Sequence, residues 1–442
     1  MMNPKSIAFH HFGCKVNYAE ASALSRQFRE LGFTIVDFHE SADVYVISSC
    51  AVTRVAEKKC RAAIRQAHRI NPEARIAVIG CFPELKPEEL AAMEGVDIVL
   101  GHTGKFSLVE QITGHINTEA GSNDDHGAIY PGRPLPDSFV PSYSSGDRTR
   151  SFLKIQDGCD YFCSYCTIPL ARGRSRSDTI ENVVRNARDI LAGGTREIVL
   201  TGVNIGDFGR RNGESFLELI RSLDGIKELA RLRISSIEPD LLSDDIIDFV
   251  AGSERIMPHF HIPLQSGCDR TLRAMNRKYD TALYESRVTR IREKLPLACI
   301  AADVILGFPG ETDVDFRETY EFLERLPVSY MHVFPYSRRE NTRAANMADP
   351  VRDSVKKGRS EALHELSGRK KHRFYLENLG TEAEVLFESD NTNGYMHGFT
   401  GNYIKVKTTF NPELINRIVP VTLDNLAGSE FMVTFQALKT NG

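Results

Sequence analysis

The stretch FLKIQDGCDYFCSYCTIPLARG, residues 152–173, decides how this chain reads. It opens on a short apolar strand and passes at once into a loop holding Cys159, Cys163 and Cys166, a C-x3-C-x2-C run with no fourth cysteine or histidine close behind. A closed structural zinc site takes four Cys or His ligands, and no second C-x2-C stands within the usual distance. A 4Fe-4S cluster suits the run better, because three thiolates hold three irons and leave the fourth for a ligand that is not protein.

Working outward, the strand FLKIQ is the first of six that alternate with helical patterns: EIVLTG, RLRISS, HFHIPL, CIAADVILG and YMHVFPY follow. Six units fall short of the eight of a closed barrel, so a partial (β/α)6 TIM-like barrel is expected over 149–375. Sites in such folds gather at the C-terminal strand ends, which is where the cysteine loop lies.

Toward the N-terminus, residues 1–115 alternate continuous apolar strands with amphipathic helices, the pattern of a doubly wound parallel α/β domain. Three of its apolar runs end in cysteine: SIAFHHFGC in Cys14, VYVISSC in Cys50 and RIAVIGC in Cys81. In a parallel sheet all carboxyl ends lie on one edge, so these thiols are expected to converge. A lone cysteine there would read as buried structure. Three in the same position point to a second three-thiolate 4Fe-4S site. Cys60, mid-helix, and Cys299, in an apolar strand, read as packing, and Cys268 stays open between packing and the barrel mouth.

Residues 116–148 have the Gly, Ser, Pro and Asp content of a linker. Residues 376–442 carry short alternating strands with Asn and Gly turns, expected as a small antiparallel, OB-like β-barrel that is either an RNA platform or purely structural. The formal charge of −4 excludes a chain coated in positive charge. Residues 338–373 nevertheless hold eleven Lys or Arg against five acidic residues, a net +6, read either as a solvated helix face or as a patch facing RNA. With nine cysteines, an odd number, no leader pattern and no long apolar run, a cytoplasmic protein that uses its thiols for metal or catalysis is expected, away from membranes.

The C-x3-C-x-aromatic-C loop at the start of a partial barrel resembles the radical S-adenosylmethionine enzymes. Adding the N-terminal three-cysteine domain and the C-terminal barrel, called TRAM in that family, the chain resembles the methylthiotransferases over nearly its whole length. FGCKVN, LTGVNIG, RISSIEP, HIPLQSG, MNRKY and ILGFPGET support this. GCKVN is similar to the MtaB type, which acts on N6-threonylcarbamoyladenosine at tRNA position 37. Siblings that modify isopentenyladenosine or a ribosomal-protein aspartate read Gln-Met-Asn or Pro-Lys-Asn after the cysteine. The chain departs from the MtaB pattern at SSCAVT, where Asn-Thr-Cys-Thr-Val-Thr is more usual, with the cysteine register kept.

The resemblance implies two 4Fe-4S clusters and two S-adenosylmethionine molecules per turnover. The cluster of Cys159, Cys163 and Cys166 cleaves one to a 5'-deoxyadenosyl radical that takes hydrogen from C2 of the adenine. The set of Cys14, Cys50 and Cys81 delivers a sulfur methylated by the other. Partners implied are the tRNA anticodon loop, a reduced electron donor such as flavodoxin or ferredoxin, and a sulfur donor. Tyr165, Gly202, Asn204, Ser235, Ser236, Gly307 and Gly310 stand where that family meets its cofactor, with loop packing and turn chemistry as the other reading. Arg172, Arg174, Arg176, His261, Gln265, Arg277 and Tyr279 are candidate substrate contacts, with solvated loop or core roles as the alternative. A non-catalytic zinc and RNA-binding protein is the different-class alternative, and two three-cysteine sets fit it poorly.

Overall fold

The computed structural model describes residues 5–50, 54–117, 128–130, 139–146 and 148–433. Most of the expected linker over 116–148 therefore lies outside the described residues, as do Ala51, Val52 and Thr53 of SSCAVT. The chain folds as two compact units: residues 1–145 with 152–162 and 166–178, and residues 146–151 with 163–165 and 179–442. Segments 152–162 and 166–178 go with the N-terminal sheet, and the C-terminal strands share a unit with the barrel strands.

In the first unit, β1 (Ser6–His11), β2 (Thr34–Val36), β3 (Val44–Ser49), β4 (Arg75–Gly80), β5 (Ile98–Leu100) and β6 (Ala128–Tyr130) pair in parallel in the order β2-β1-β3-β4-β5-β6. Alternate residues of the central strands enter two cores. Tyr45, Ile47, Ile76 and Val78 pack with Cys60, Ala63 and Ile64 of helix α2 (Arg54–Ile70). On the opposite face Val44, Val46, Ala77 and Ile79 pack with Leu24 and Phe28 of helix α1 (Lys15–Glu30). Burial on both faces is why β3 reads as a continuous apolar run. The strand order reverses between β1 and β3, and in doubly wound sheets ligands settle at such a switch point.

Helices α3 (Cys81–Leu85), α4 (Pro87–Ala91) and α5 (Leu108–Asn117) complete this layer. Strand β7 (Ser142–Tyr143) pairs antiparallel with the end of β8 (Arg150–Lys154). The ends of the cysteine segment meet as a short antiparallel stem between β9 (Gln156–Asp157) and β10 (Arg176–Ser177), with α6 (Ile168–Arg172) lying between them in sequence.

The second unit continues the strand and helix alternation: α7 (Ile180–Ala192), β11 (Glu197–Thr201), α8 (Phe216–Asp224), β12 (Arg231–Ile234), α9 (Asp244–Gly252), β13 (His259–Gln265), α10 (Asp269–Ala274), α11 (Thr281–Lys294), β14 (Cys299–Leu306), α12 (Asp313–Arg325) and β15 (Tyr330–Pro335). β11 pairs with β12 and β13-β14-β15 form a second ladder, all parallel, with single bridges from Leu232 to Ile256 and from Ser236 to His261 between them. The six strands expected from sequence, β8 and β11 to β15, are all present. Helix starts carry their own signals: Thr179, Ser215, Ser243 and Asp280 cap by side chain, and Thr312 with Asp315 forms a capping box.

After the long helix α13 (Asp353–Glu377) come β16 (Glu382–Phe387), β17 (Tyr395–Thr400), β18 (Lys405–Thr409), β19 (Ile418–Thr422), β20 (Leu426–Ala427) and β21 (Glu430–Met432), in the order β19-β16-β17-β18-β21-β20. This sheet is antiparallel as expected, except that β18 and β21 run parallel. Its core of Val385, Phe387, Met396, Val406 and Phe431 also takes Phe374 and Tyr375 of α13. Buried Arg231 and Arg233 of β12 donate to carbonyls of Phe399, Glu384 and Gly401 in this layer. Among the described residues, no helix is long and apolar enough to cross a membrane.

Candidate functional site

Cys14 caps α1 three residues beyond β1, Cys50 follows β3 directly and Cys81 follows β4. Because β1, β3 and β4 are neighbours in a parallel sheet, the three cysteines stand at one edge of it. Asn17 stitches them together: its Oδ1 accepts from Cys14 Sγ at 3.3 Å, and its Nδ2 donates to Ser49 O at 2.9 Å, beside Cys50. Gly13 and Gly80, at φ 142° and 109°, keep the space open. A Cβ on Gly13 would stand 2.8 Å from Cys50 Cβ, and one on Gly80 would stand 2.6 Å from Ser49 O. Ser49, one of the departures from the usual motif, donates its hydroxyl to Ile79 O at 3.2 Å and so is satisfied inside the sheet.

Arg172 reads from sequence as a candidate substrate contact or as part of a solvated loop. It is instead 2% exposed and spends its donors inside the first unit. Nε donates to Cys81 Sγ at 3.2 Å, Nη2 to Asn17 Oδ1 at 2.6 Å, and Nη1 to Asp157 Oδ1 at 2.9 Å. Glu20, one turn beyond Asn17 on α1, accepts from Arg172, Lys105 and Lys154. Lys154 also pairs with Asp157 at 2.8 Å. His102 lies 2.9 Å from Lys105 Nζ and 3.1 Å from Asp157. Arg176, at the edge of this group, reaches His102 and Asp157 and donates to the carbonyls of Arg172 and Arg174, so it too serves structure rather than an exposed phosphate site. Arg174 alone of the three is exposed, paired with Asp160.

Burial would raise the carboxyls of Glu20 and Asp157, but the surrounding cations outweigh it and hold both well below the usual carboxylate range. Burial lowers His102 to about 3 and Lys105 to about 8, the latter despite Glu20. Burial likewise pushes the Cys81 thiol up, opposed by Arg172. A depressed folded value means that the contribution of Glu20 to stability is present above the ordinary carboxylate range and is lost as pH falls through that value. E20Q, which strands buried cations, is expected to cost about 3 kcal/mol at neutral pH. The gap from the parent narrows in acid, and urea unfolding at both pH values measures it; equal stability at neutral pH would sink this account.

This donor set fits an iron–sulfur cluster. Three thiols share an edge kept clear by glycines, Cys14 is exposed while Cys50 and Cys81 are buried, and the Arg172 guanidinium already donates to the Cys81 sulfur.

In the cysteine loop, the first-unit thiols accept main-chain donors: Tyr161 N lies 3.5 Å from Cys159 Sγ, and Ile168 N lies 3.4 Å from Cys166 Sγ. In the second unit, Arg277 Nη1 donates to Cys163 Sγ at 3.0 Å, and burial raises that thiol against the pull of Arg277. Donors aimed at sulfur suit thiolates that hold iron. Arg277 also pairs with Glu238 and donates to the Tyr279 and Tyr165 hydroxyls. The Tyr279 hydroxyl lies 2.7 Å from Pro263 O and 2.9 Å from Leu264 O. Arg277 and Tyr279, expected as substrate contacts, thus brace the loop and the end of β13 from buried positions.

Of the expected cofactor contacts, Tyr165 packs with Met275, Phe308 and Ala344. Gly202 and Asn204 follow β11, with Asn204 buried. Ser235 is buried, and Ser236 Oγ lies 2.8 Å from His261 Nδ1. Gly307 donates to Glu311 and its open side meets Lys356, while Gly310 holds φ 77° in the following turn. Gln265 ends β13 at φ 65°, where the register with β14 shifts.

Asp303 and His332, the partners of the candidate His261, escaped the sequence reading. His261 Nε2 lies 2.8 Å from Asp303 Oδ1, and His332 stands beside them, so β13, β14 and β15 each contribute to one polar cluster. The alternation of polar and apolar residues in β15 was its signal. Asn17, Glu20, Lys105, Lys154 and Asp157 lack any common motif. Cys60 and Cys299 are buried as expected, with burial lifting both thiols to about 12. Cys268 is buried too, donates to Asp315 and is lifted by burial to about 11. Of the basic stretch 338–373, Arg359 is buried against Glu311 and Asp313, and Lys370 donates to Leu326 O.

Comparison with known proteins agrees with this layout. Residues 153–323 match the radical SAM superfamily, and residues 6–101 match a family described as uncharacterized protein family UPF0004. The radical S-adenosylmethionine methyltransferase TsrM from Kitasatospora setae, solved with cobalamin and a [4Fe-4S] cluster, shares the fold at a TM-score of 0.57 and 16% identity over 78% of this chain and 74% of that one. Fold and cysteine loop define a radical S-adenosylmethionine enzyme.

Among sequence relatives, the threonylcarbamoyladenosine tRNA methylthiotransferase MtaB of Bacillus subtilis is 39% identical over 95% of this chain and 93% of its own. The MtaB of Aquifex aeolicus is 37% identical over 91% and 96%. A tRNA-2-methylthio-N(6)-dimethylallyladenosine synthase of Alkaliphilus oremlandii reaches 30% over 93% and 88%. The chain belongs to the family of the MtaB tRNA methylthiotransferases.

Proposed function

We propose that this enzyme places a methylthio group on C2 of N6-threonylcarbamoyladenosine at position 37 of tRNA. The observation that carries the reading is the pairing of two separate three-cysteine sets, each with donors aimed at sulfur, in a chain 39% identical to an MtaB of that name. Cys159, Cys163 and Cys166 would hold one 4Fe-4S cluster, and Cys14, Cys50 and Cys81 the other. When bound with S-adenosylmethionine, these groups supply the carbon radical that removes the C2 hydrogen and the methylated sulfur that replaces it.

The protein's own part is placement. Arg277 braces Cys163 from beneath the loop, Asn17 spans the edge between Cys14 and Cys50, and the exposed Cys14 leaves that set open on one side. tRNA is the partner, with a reduced electron carrier of the flavodoxin or ferredoxin kind and a separate sulfur donor, in the cytoplasm.

Mass spectrometry of tRNA nucleosides from cells with and without the gene tests substrate and reaction together. Loss of the methylthio form, with threonylcarbamoyladenosine accumulating, is the expected result. An unchanged level of that nucleoside beside loss of another methylthiolated species would overturn the substrate assignment.

A further inference from the structure

We propose that Arg172 is the positioning residue that sets the reduction potential of a cluster held by Cys14, Cys50 and Cys81, acting from a buried ion network that reaches the start of the Cys159 loop. This rests on the reading of those thiols as cluster ligands. Arg172 touches the set twice, directly at Cys81 Sγ and through Asn17, which the Cys14 thiol also meets. It is a charged side chain that hydrogen-bonds both the thiol set and the ion network behind it.

Charge counting gives the network its purpose. Lys105, Lys154 and Arg172 pair with two carboxylates, Glu20 and Asp157, and all five side chains are almost wholly buried. His102 between them is lowered to about 3 by burial and adjacent Lys105, so it adds no charge at neutral pH. The group is left with surplus positive charge, increased by Arg176 at its edge. In a low-dielectric interior such a surplus calls for an anion, and the Cys81 sulfur is the acceptor that Arg172 Nε meets on the side of the thiol set. A cluster bound by three thiolates is that anion. Hydrogen bonds to cluster sulfur and nearby cations favour the reduced, more negative state and so raise the potential.

The network also has an address at its far end. Asp157, which takes Arg172 Nη1, Lys154 and Arg176, stands two residues before Cys159, and Cys159 N donates to Gly173 O next to Arg172 itself. Arg172 therefore fixes the backbone on both sides of the cysteine loop while it holds the other thiol set.

The test uses the full chain carrying C159A, C163A and C166A, so that only the first thiol set takes iron, reconstituted anaerobically with iron and sulfide. Redox titration followed by electron paramagnetic resonance reads the midpoint potential. R172M is expected to shift it downward, R172K by less, and D157N, which enlarges the surplus of positive charge, upward. Opposite signs from two disruptions of one network separate an electrostatic role from a merely structural one. Unchanged potentials in R172M and D157N, or a downward shift in both, would overturn the inference. If R172M fails to fold, D157N and R172K decide by the same signs. Absence of iron from the parent triple variant would overturn the cluster assignment instead, a distinguishable result.

Discussion

Alanine at Cys159, Cys163 or Cys166 is expected to reduce 5'-deoxyadenosine formation under anaerobic reduction to the level of buffer alone. The loop has three thiolates and no neighbouring fourth ligand in the C-x3-C-x2-C run, so each loss leaves two, and two do not hold a cube of four irons. Nothing nearby substitutes. The donors around these sulfurs, Tyr161 N, Ile168 N and Arg277, are hydrogen-bond donors and not metal ligands. Tyr165, the one aromatic inside the C-x2-C step, already accepts from Arg277. Iron content should fall by half in each variant, from two clusters to one. Undiminished 5'-deoxyadenosine from any of the three would remove the loop from the chemistry.

Alanine at Cys14, Cys50 or Cys81 is expected to divide the reaction rather than abolish it. Cofactor cleavage persists, because the loop thiols are untouched, while methylthiolated nucleoside disappears. The three variants should differ in stability in the order of their burial. C14A loses an exposed thiol and leaves the Arg172 pairings intact, whereas C81A removes the sulfur that receives Arg172 Nε inside the sheet edge. Leaving a buried charge-assisted donor without an acceptor costs about 1–3 kcal/mol. Continued formation of methylthiolated product in C81A would end the proposed division of labour between the two sets.

How much of this was legible in the sequence depends on distance along the chain. The cysteine loop declared itself through local spacing, and the scattered trio through its repeated place at the ends of apolar runs, because parallel strands carry equivalent positions to one edge. The six barrel strands were legible for the same reason, burial on both faces giving unbroken apolar runs. The burial of Arg172 was not legible, because RGRSRS looks like a solvated basic loop. Its acceptors Asn17, Glu20, Cys81 and Asp157 come from three distant segments, and no pattern ties them together. The pairings of Arg277 and Tyr279 were hidden likewise, their partners lying on other elements. The parallel pairing of β18 with β21 has no local signature either, since the intervening chain crosses to another strand first.

The chain has three thiols that serve neither set, and their setting bears on how the enzyme is assembled. Cys60, Cys268 and Cys299 are sealed in packing and held as neutral thiols at any cellular pH, with values near 12, 11 and 12. Iron and sulfide carriers act on thiolates, so to a delivery protein these three are indistinguishable from hydrocarbon. An alkylating reagent applied to the folded, iron-free chain is therefore expected to leave these three sulfurs unlabelled.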